Sequence, residues 1–325
     1  MPGPSNYPGG FANGITIRGV PLHVLHPGKV FWVNNSSVLA PGGIGGSNSN
    51  DGTYQRPFST IDYAIGKCTA DRGDIIVVMP GHAETLTTAT GLVMDVAGIA
   101  IVGLGRGSKR PTLTFATNTT ANIPITAANM SVYNILFRAN VADVVSVFTA
   151  TGTATPTDFV VSNCEFRDLS SILNFITIVT GNATANSMDG LVFEKNDVNG
   201  LAATAATTIL VMASAVRRMT VKDNFAVHPA LNDTAQLLAM GANNVLSLKM
   251  SGNVMWRPST SSTGGAVVSS SSTASTGVVH DNRFWHLDNS AGIWIATGTT
   301  LGFFENYSPI TAAADKSGLI NPAAV

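Results

Sequence analysis

An asparagine recurs through the middle of the chain at a nearly constant interval, which few folds can accommodate. The residues are Asn134, Asn163, Asn196, Asn224, Asn253, Asn282 and Asn306, spaced 29, 33, 28, 29, 29 and 24 residues apart. From Asn196 onward an apolar residue stands three before each (Phe193, Val221, Met250, Val279, Phe303). A second set of short apolar stretches shares the period, among them Phe175–Val179, Thr208–Met212 and Gln236–Met240. A period of 20 to 50 residues marks a solenoid, a propeller or an array.

The apolar runs are short, rich in Val, Ile, Phe and Leu, and often alternate, as in Leu191-Val192-Phe193, so they read as strands. No repeat holds a helix of ten residues or a fixed leucine frame, and a propeller blade needs about 40 residues. Two or three strands per coil of about 28 residues predict an all-β chain, a single-stranded parallel β-helix. In such a stack each asparagine stands above the last. Its amide can hydrogen-bond along the axis, and Asn tolerates the left-handed turn conformation. The seven asparagines are therefore read as a structural ladder.

The 325 residues are 45% hydrophobic but only 11% charged, against about 25% in ordinary globular proteins. Ser, Thr, Asn and Gly do the solubilising. A net charge of −1 offers no basic field for nucleic acid or an anionic membrane. Cys68 and Cys164 lie far apart in apolar surroundings and read as buried free thiols. The N-terminus carries no signal-peptide pattern and no apolar run reaches 18 residues, so synthesis in a cytosol is expected.

Three regions follow. Residues 1–50 read as an extended arm, rich in Pro and Gly yet holding Phe11, Ile15, Ile17, Phe31 and Trp32, which are expected to pack on a partner or on the chain itself. Residues 51–306 read as the β-helix, with a helix near 59–69 capped by Ser59, whose apolar face is Ile61, Ala64, Ile65 and Cys68. A helix there would cover the open end of the solenoid, as terminal repeats require. Residues 307–325 read as a C-terminal tail.

The stretch Asp51-Gly52 through Pro57-Phe58, Thr60-Ile61, Ala64-Ile65, Gly73-Asp74, Ile76, Val78 and Pro80-Gly81 resembles the opening of pectin-lyase-like right-handed β-helix proteins. Within that group, the stretches 13–22, 27–33 and 81–85 resemble virion proteins of tailed bacteriophages. The resemblance implies a stacked-coil prism, often trimeric, displayed on a phage particle. It further implies the major capsid protein or other virion proteins as partners, and a place in the virion after synthesis in the host cytoplasm.

Chemistry on such a scaffold needs side chains brought together across coils. The position before each asparagine gives Lys195, Asp223, Gly252, Asp281 and Glu305, so Asp223, Asp281 and Glu305 form a weak candidate catalytic group. Glu165, Asp168 and Asp189 read as loop residues that do not align. His280, Asp281 and His286 supply too few ligands at too unfamiliar a spacing for a metal. No phosphate-binding loop is present, so neither a metal nor a cofactor is expected. Trp256 and Trp285, each three residues after an asparagine, would stack one coil apart as internal packing, a sugar platform or a subunit contact. The expectation is a non-enzymatic phage structural protein, a homotrimer decorating or cementing the capsid through its arm. The alternative is a tailspike-like protein that binds or cleaves a host glycan.

Overall fold

The computed structural model describes residues 28–201, 208–228, 236–256, 268–270, 274–285 and 301–308, with the strands at 15–17, 20–22 and 318–319. The chain winds as a right-handed parallel β-helix whose coils contribute to three long sheets. Sheet 1 runs from Val30–Val33 and Ile75–Val78 through Ser131–Tyr133 and Val160–Ser162 to Gly302–Phe304, ten strands in all among the described residues. Sheet 2 starts at Ala83–Leu86 and includes Leu136–Asn140, Glu165–Asp168, Asp197–Asn199, Phe225–Val227, Val254–Trp256 and Arg283–Trp285. Sheet 3 has six strands, from Ile123–Ile125 to Val268–Ser270.

Strand pairing is parallel and in register from coil to coil, so each position makes a column along the axis. One such column is Val161, Phe193, Val221, Met250, Val279 and Phe303. Parallel strands buried on one face need the long crossover that each coil supplies. The interior is apolar: Phe115, Phe137, Phe148, Phe159, Phe166, Phe175 and Phe193 are all fully buried. Phe137 lies flat over Phe166 at 5.0 Å, and Phe166 over Phe193 at 6.0 Å. Offset stacking of this kind adds to the gain from burial.

The turn from sheet 1 to sheet 2 explains the asparagines. It needs one residue with positive φ, and the column of Asn134, Asn163, Lys195, Asp223, Gly252, Asp281 and Glu305 supplies it, with φ between 53° and 66°. The next position turns inward, and there Asn196, Asn224, Asn253, Asn282 and Asn306 stack, each at most 1% exposed. Asn224 donates its Nδ2 to Asn253 Oδ1 at 2.8 Å, and Asn253 to Asn282 Oδ1 at 2.9 Å. The same Nδ2 groups reach the carbonyls of Phe193 and Val221 at 2.9 Å. Backbone N–H groups of one rung also donate to the next rung's Oδ1, as Asn253 N does to Asn282 at 3.1 Å. A buried amide with every polar atom used is stable where a half-used one is not.

Asn134 and Asn163 do not stand in this column. They occupy the positive-φ position before it, and Ile135 and Cys164 take the ladder positions of their coils. Asn134 is buried and donates to the carbonyls of Gly103 and Gly105 at 2.7 and 3.0 Å. Asn163 is exposed and reaches Asn134 Oδ1 only at 3.4 Å. The ladder begins where Cys164 N donates to Asn196 Oδ1 at 2.9 Å.

Part of the stretch read as an arm belongs to the solenoid. Val30–Val33 is the first strand of sheet 1, paired with Ile75–Val78. Phe31 packs on the core against Phe58 at 5.8 Å, and Trp32 meets the Tyr54 ring edge-on at 4.9 Å. Both are thus engaged within the chain. Ile15–Ile17 pairs with Val20–Leu22 in a two-stranded antiparallel ribbon, and Phe11 lies outside the described residues. The helix is shorter than expected, Ile61–Ile65, and its cap is Thr60, whose Oγ1 accepts from Tyr63 N. Ser59 instead donates to Asn48 Oδ1 at 2.8 Å. Ile61, Ala64 and Ile65 join the core at this end.

Two polar knots fix the same end. His82 Nδ1 accepts from Asn35 N at 3.0 Å, which leaves Nε2 to donate to Glu84 Oε1 at 2.6 Å; Glu84 also accepts from Ile61 N at 2.8 Å. Asp74 is fully buried and accepts from Lys29 N, Thr69 N and the Arg72 guanidinium at 2.6–2.7 Å. Burial pushes the Asp74 carboxyl up, but the Arg72 guanidinium and the two backbone donors outweigh it and hold it below the usual range. A carboxyl lowered by folding stabilises the fold above its unfolded pKa of about 3.9, and the gain is lost as pH falls through the lower folded value. Asp74→Asn is therefore expected to lower stability near neutral pH and to weaken its dependence on pH in that acid window, read by denaturant unfolding at several pH values. An unchanged acid dependence would contradict this.

Both cysteines are free, and burial pushes their thiols up to about 12. Neither is a thiolate nucleophile at neutral pH.

Candidate active site

The residue after each ladder position starts a sheet 2 strand and faces outward. This column reads Leu136, Glu165, Asp197, Phe225, Val254, Arg283 and Tyr307 along the axis. The next outward column, two residues on, includes Thr114, Arg138, Arg167, Asn199, Val227 and Trp256. The described charged side chains of sheet 2 concentrate in its middle coils, and the large apolar ones follow toward the C-terminal end.

Glu165 and Asp197 are direct partners on adjacent strands, so their backbones are about 4.8 Å apart. Glu165 is held from two sides. Arg110 Nη1 meets its Oε2 at 3.0 Å, reaching across from the turn that precedes the strand two coils earlier, and Arg167 Nε donates to its Oε1 at 2.9 Å. Arg138, one coil before Arg167, donates to Thr114 Oγ1 at 3.1 Å. Among the described residues no guanidinium is hydrogen-bonded to Asp197 in this way. Partial burial pushes its carboxyl up first, and the Glu165 charge adds to this; Arg110 and Arg167 oppose it without cancelling it. The pair thus holds one carboxylate fixed between guanidiniums and one carboxyl displaced toward its protonated form. A carboxyl raised in pKa beside a second carboxyl held in place by guanidiniums can do acid–base work.

This arrangement corrects the loop assignment of Glu165, which stands in a strand and aligns with Asp197. Asp168 lies on the same strand, but is buried: its Oδ1 accepts from Phe175 N at 3.0 Å and its Oδ2 from Leu201 N at 2.8 Å. Asp189 accepts from Arg217 N at 2.8 Å. These two carboxylates tie loops to the coils. Asp223, Asp281 and Glu305 lie in the positive-φ column along the corner between sheets 1 and 2. Asp223 pairs with Lys222 at 3.6 Å and Asp281 with His280 at 3.2 Å, while Gly252 interrupts the column. Asp281 and Glu305 are neighbours there, but among the described residues no guanidinium is paired with either. Among the described residues no three His, Cys, Asp or Glu side chains gather as a metal site would require; His286 lies outside them.

No family model matches the chain, and no curated protein matches it. Solved structures do. A pectin methylesterase from Aspergillus niger, in deglycosylated form, is 13% identical over 92% of both chains, with a TM-score of 0.50. A rhamnogalacturonan lyase is 11% identical over 90% of both chains, with a TM-score of 0.44. Pectate lyase Pel9A is 12% identical over 90% of this chain and 79% of that one, with a TM-score of 0.43. Nothing in these comparisons supports a virion origin or a capsid-decorating role. They also run against the expectation of a non-enzymatic protein, since the pectin methylesterase of like fold is by its name an enzyme. What the likeness shows is the fold alone: this chain is a right-handed parallel β-helix.

Proposed function

We propose that the protein cleaves a polysaccharide on the outer face of sheet 2, with Asp197 as general acid and Glu165 as the carboxylate opposite it. The observation that carries this reading is their register: two carboxyls on adjacent strands, one clamped by Arg110 and Arg167 and one with its pKa raised. The pectin methylesterase of like fold acts, by its name, on pectin, which supports a polysaccharide as the substrate class.

The chemistry would run as follows. Asp197 gives its proton to the glycosidic oxygen as the bond from that oxygen to the anomeric carbon breaks. The Glu165 carboxylate bonds to the anomeric carbon. Water then displaces Glu165 and returns a proton to Asp197, so each cycle consumes one glycosidic bond and one water. Carboxyls on neighbouring strands suit the separation of about 5–5.5 Å used by enzymes that retain anomeric configuration.

The test is the pH dependence of cleavage, measured as new reducing ends from polygalacturonate, rhamnogalacturonan and a soluble neutral glucan. A general acid works only while protonated, so the rate should fall as pH rises through the elevated Asp197 pKa. A rate that stays flat from about pH 4 to about pH 8 would remove Asp197 from that role.

A further inference from the structure

Directly beyond the acid pair along the axis, the charges on the outer face of sheet 2 give way to an apolar block. Phe225 and Val254 occupy the outer column after Asp197, and Val227 and Trp256 occupy the column beside it. Phe225 is 47% exposed, and Val227, Val254 and Trp256 are each partly exposed. Phe225 thus stands exposed beside a partly exposed Trp256 on a regular strand face, and neither belongs to the apolar core. Within the described residues the block is narrow, two columns wide. The polar Lys222 and Asp223 border it on the corner side, Asn199 on the acid-pair side and the exposed Arg283 at the far end.

That shape decides between ligands. A specific protein interface buries about 800 Å² on each partner, far broader than a strip of four side chains. An extended ligand one ring wide fits it. A pyranose ring has an apolar C–H face and a rim of hydroxyls, so it packs on an aromatic side chain while its rim meets polar neighbours. Asn199 and Arg283 stand where such a rim would be.

Resting on the acid–base reading of Glu165 and Asp197, we propose that Phe225, Val227, Val254 and Trp256 form a platform for pyranose rings of the same polysaccharide, which lies along the solenoid axis. Successive sugars follow successive coils, and the chain passes from the platform onto the acid pair. Phe225 and Trp256 are binding residues here and take no part in bond cleavage.

Affinity electrophoresis of the full chain tests this, in gels cast with polygalacturonate, rhamnogalacturonan or hydroxyethylcellulose. The wild type should be retarded in at least one gel. Phe225→Ala and Trp256→Ala should each weaken retardation about tenfold, from the loss of one ring contact. Phe225→Trp, which keeps a ring, should preserve retardation. Phe304→Ala, which removes an exposed ring stacked on His280 on sheet 1, should leave it unchanged. Asp197→Asn should still bind. Retardation by any of these polymers that persists in both alanine variants, or no retardation of the wild type, would overturn the platform. Ring-dependent retardation without cleavage would support the platform and remove the acid–base reading instead.

Discussion

Asn253→Ala is expected to lower stability by about 3–5 kcal/mol, the sum of several buried polar groups left without partners. The side chain serves both neighbouring coils. Its Oδ1 accepts Asn224 N at 3.1 Å and Asn224 Nδ2 at 2.8 Å, and its Nδ2 donates to Val221 O and Asn282 Oδ1, each at 2.9 Å. Alanine cannot replace any of these, and at 1% exposure no water stands in for them. A solenoid's stability is close to a sum of coil and neighbour-interface terms, so both adjacent interfaces weaken together. Asn163→Gly is the contrasting change. It keeps a residue at ease with positive φ and loses one 3.4 Å bond at the surface. Its effect should stay within about 0.5 kcal/mol, as for an ordinary surface substitution. Denaturant unfolding of the two variants beside the wild type reads both. Equal effects would mean that burial in the ladder column is not what makes these asparagines matter.

Asp197→Asn is expected to lower polysaccharide cleavage by about 10²–10⁴-fold, the usual contribution of a positioned general acid. Asparagine preserves the shape of the side chain but has no acidic proton to give. Glu165→Gln should be at least as damaging. It removes the nucleophilic carboxylate and leaves Arg110 and Arg167 facing a neutral amide. Its effect also separates the two roles: losing Glu165 removes one charge that raises the Asp197 carboxyl, so any residual activity should lose its alkaline limb at lower pH. The Asp281→Asn variant, changed at the corner between sheets 1 and 2, should keep wild-type cleavage. Loss of activity in Asp281→Asn with retention in Asp197→Asn would move the site to that corner.

Much of the fold was legible because a parallel solenoid repeats each decision coil after coil. The period, the strand character of the apolar runs and the inward asparagines from Asn196 onward all come from one short turn that needs positive φ and then a buried amide. The frame slipped at one place. Asn163 to Asn196 is 33 residues, but the strands that carry them, Val160 and Val192, are paired 32 apart. That extra residue put Asn134 and Asn163 in the wrong column, since asparagine suits both the positive-φ position and the inward one. The same slip hid the candidate site. Read one position after the true ladder, the sequence aligns Glu165 with Asp197, Phe225, Val254, Arg283 and Tyr307. Cys164, an apolar stand-in at the ladder position, gave no polar signal to mark it. Other features were beyond reach of the period. Arg110 comes from a turn two coils away, and its meeting with Glu165 depends on side-chain reach rather than spacing. The Val30–Val33 strand is separated from its partner by a 45-residue step, longer than any repeat after it.

The most direct test of the central claim is to digest polygalacturonate, rhamnogalacturonan and a neutral glucan with the wild-type protein and to characterise any products by mass spectrometry and ultraviolet absorbance. Hydrolysis through Asp197 and Glu165 predicts shorter chains that each carry one added water and a new reducing end, with no unsaturated sugar. Products that absorb in the ultraviolet as unsaturated sugars would show elimination, and the two carboxyls would then have been given the wrong chemistry. No shortened product from any of the three polymers would contradict the claim that this face of the solenoid cleaves polysaccharide.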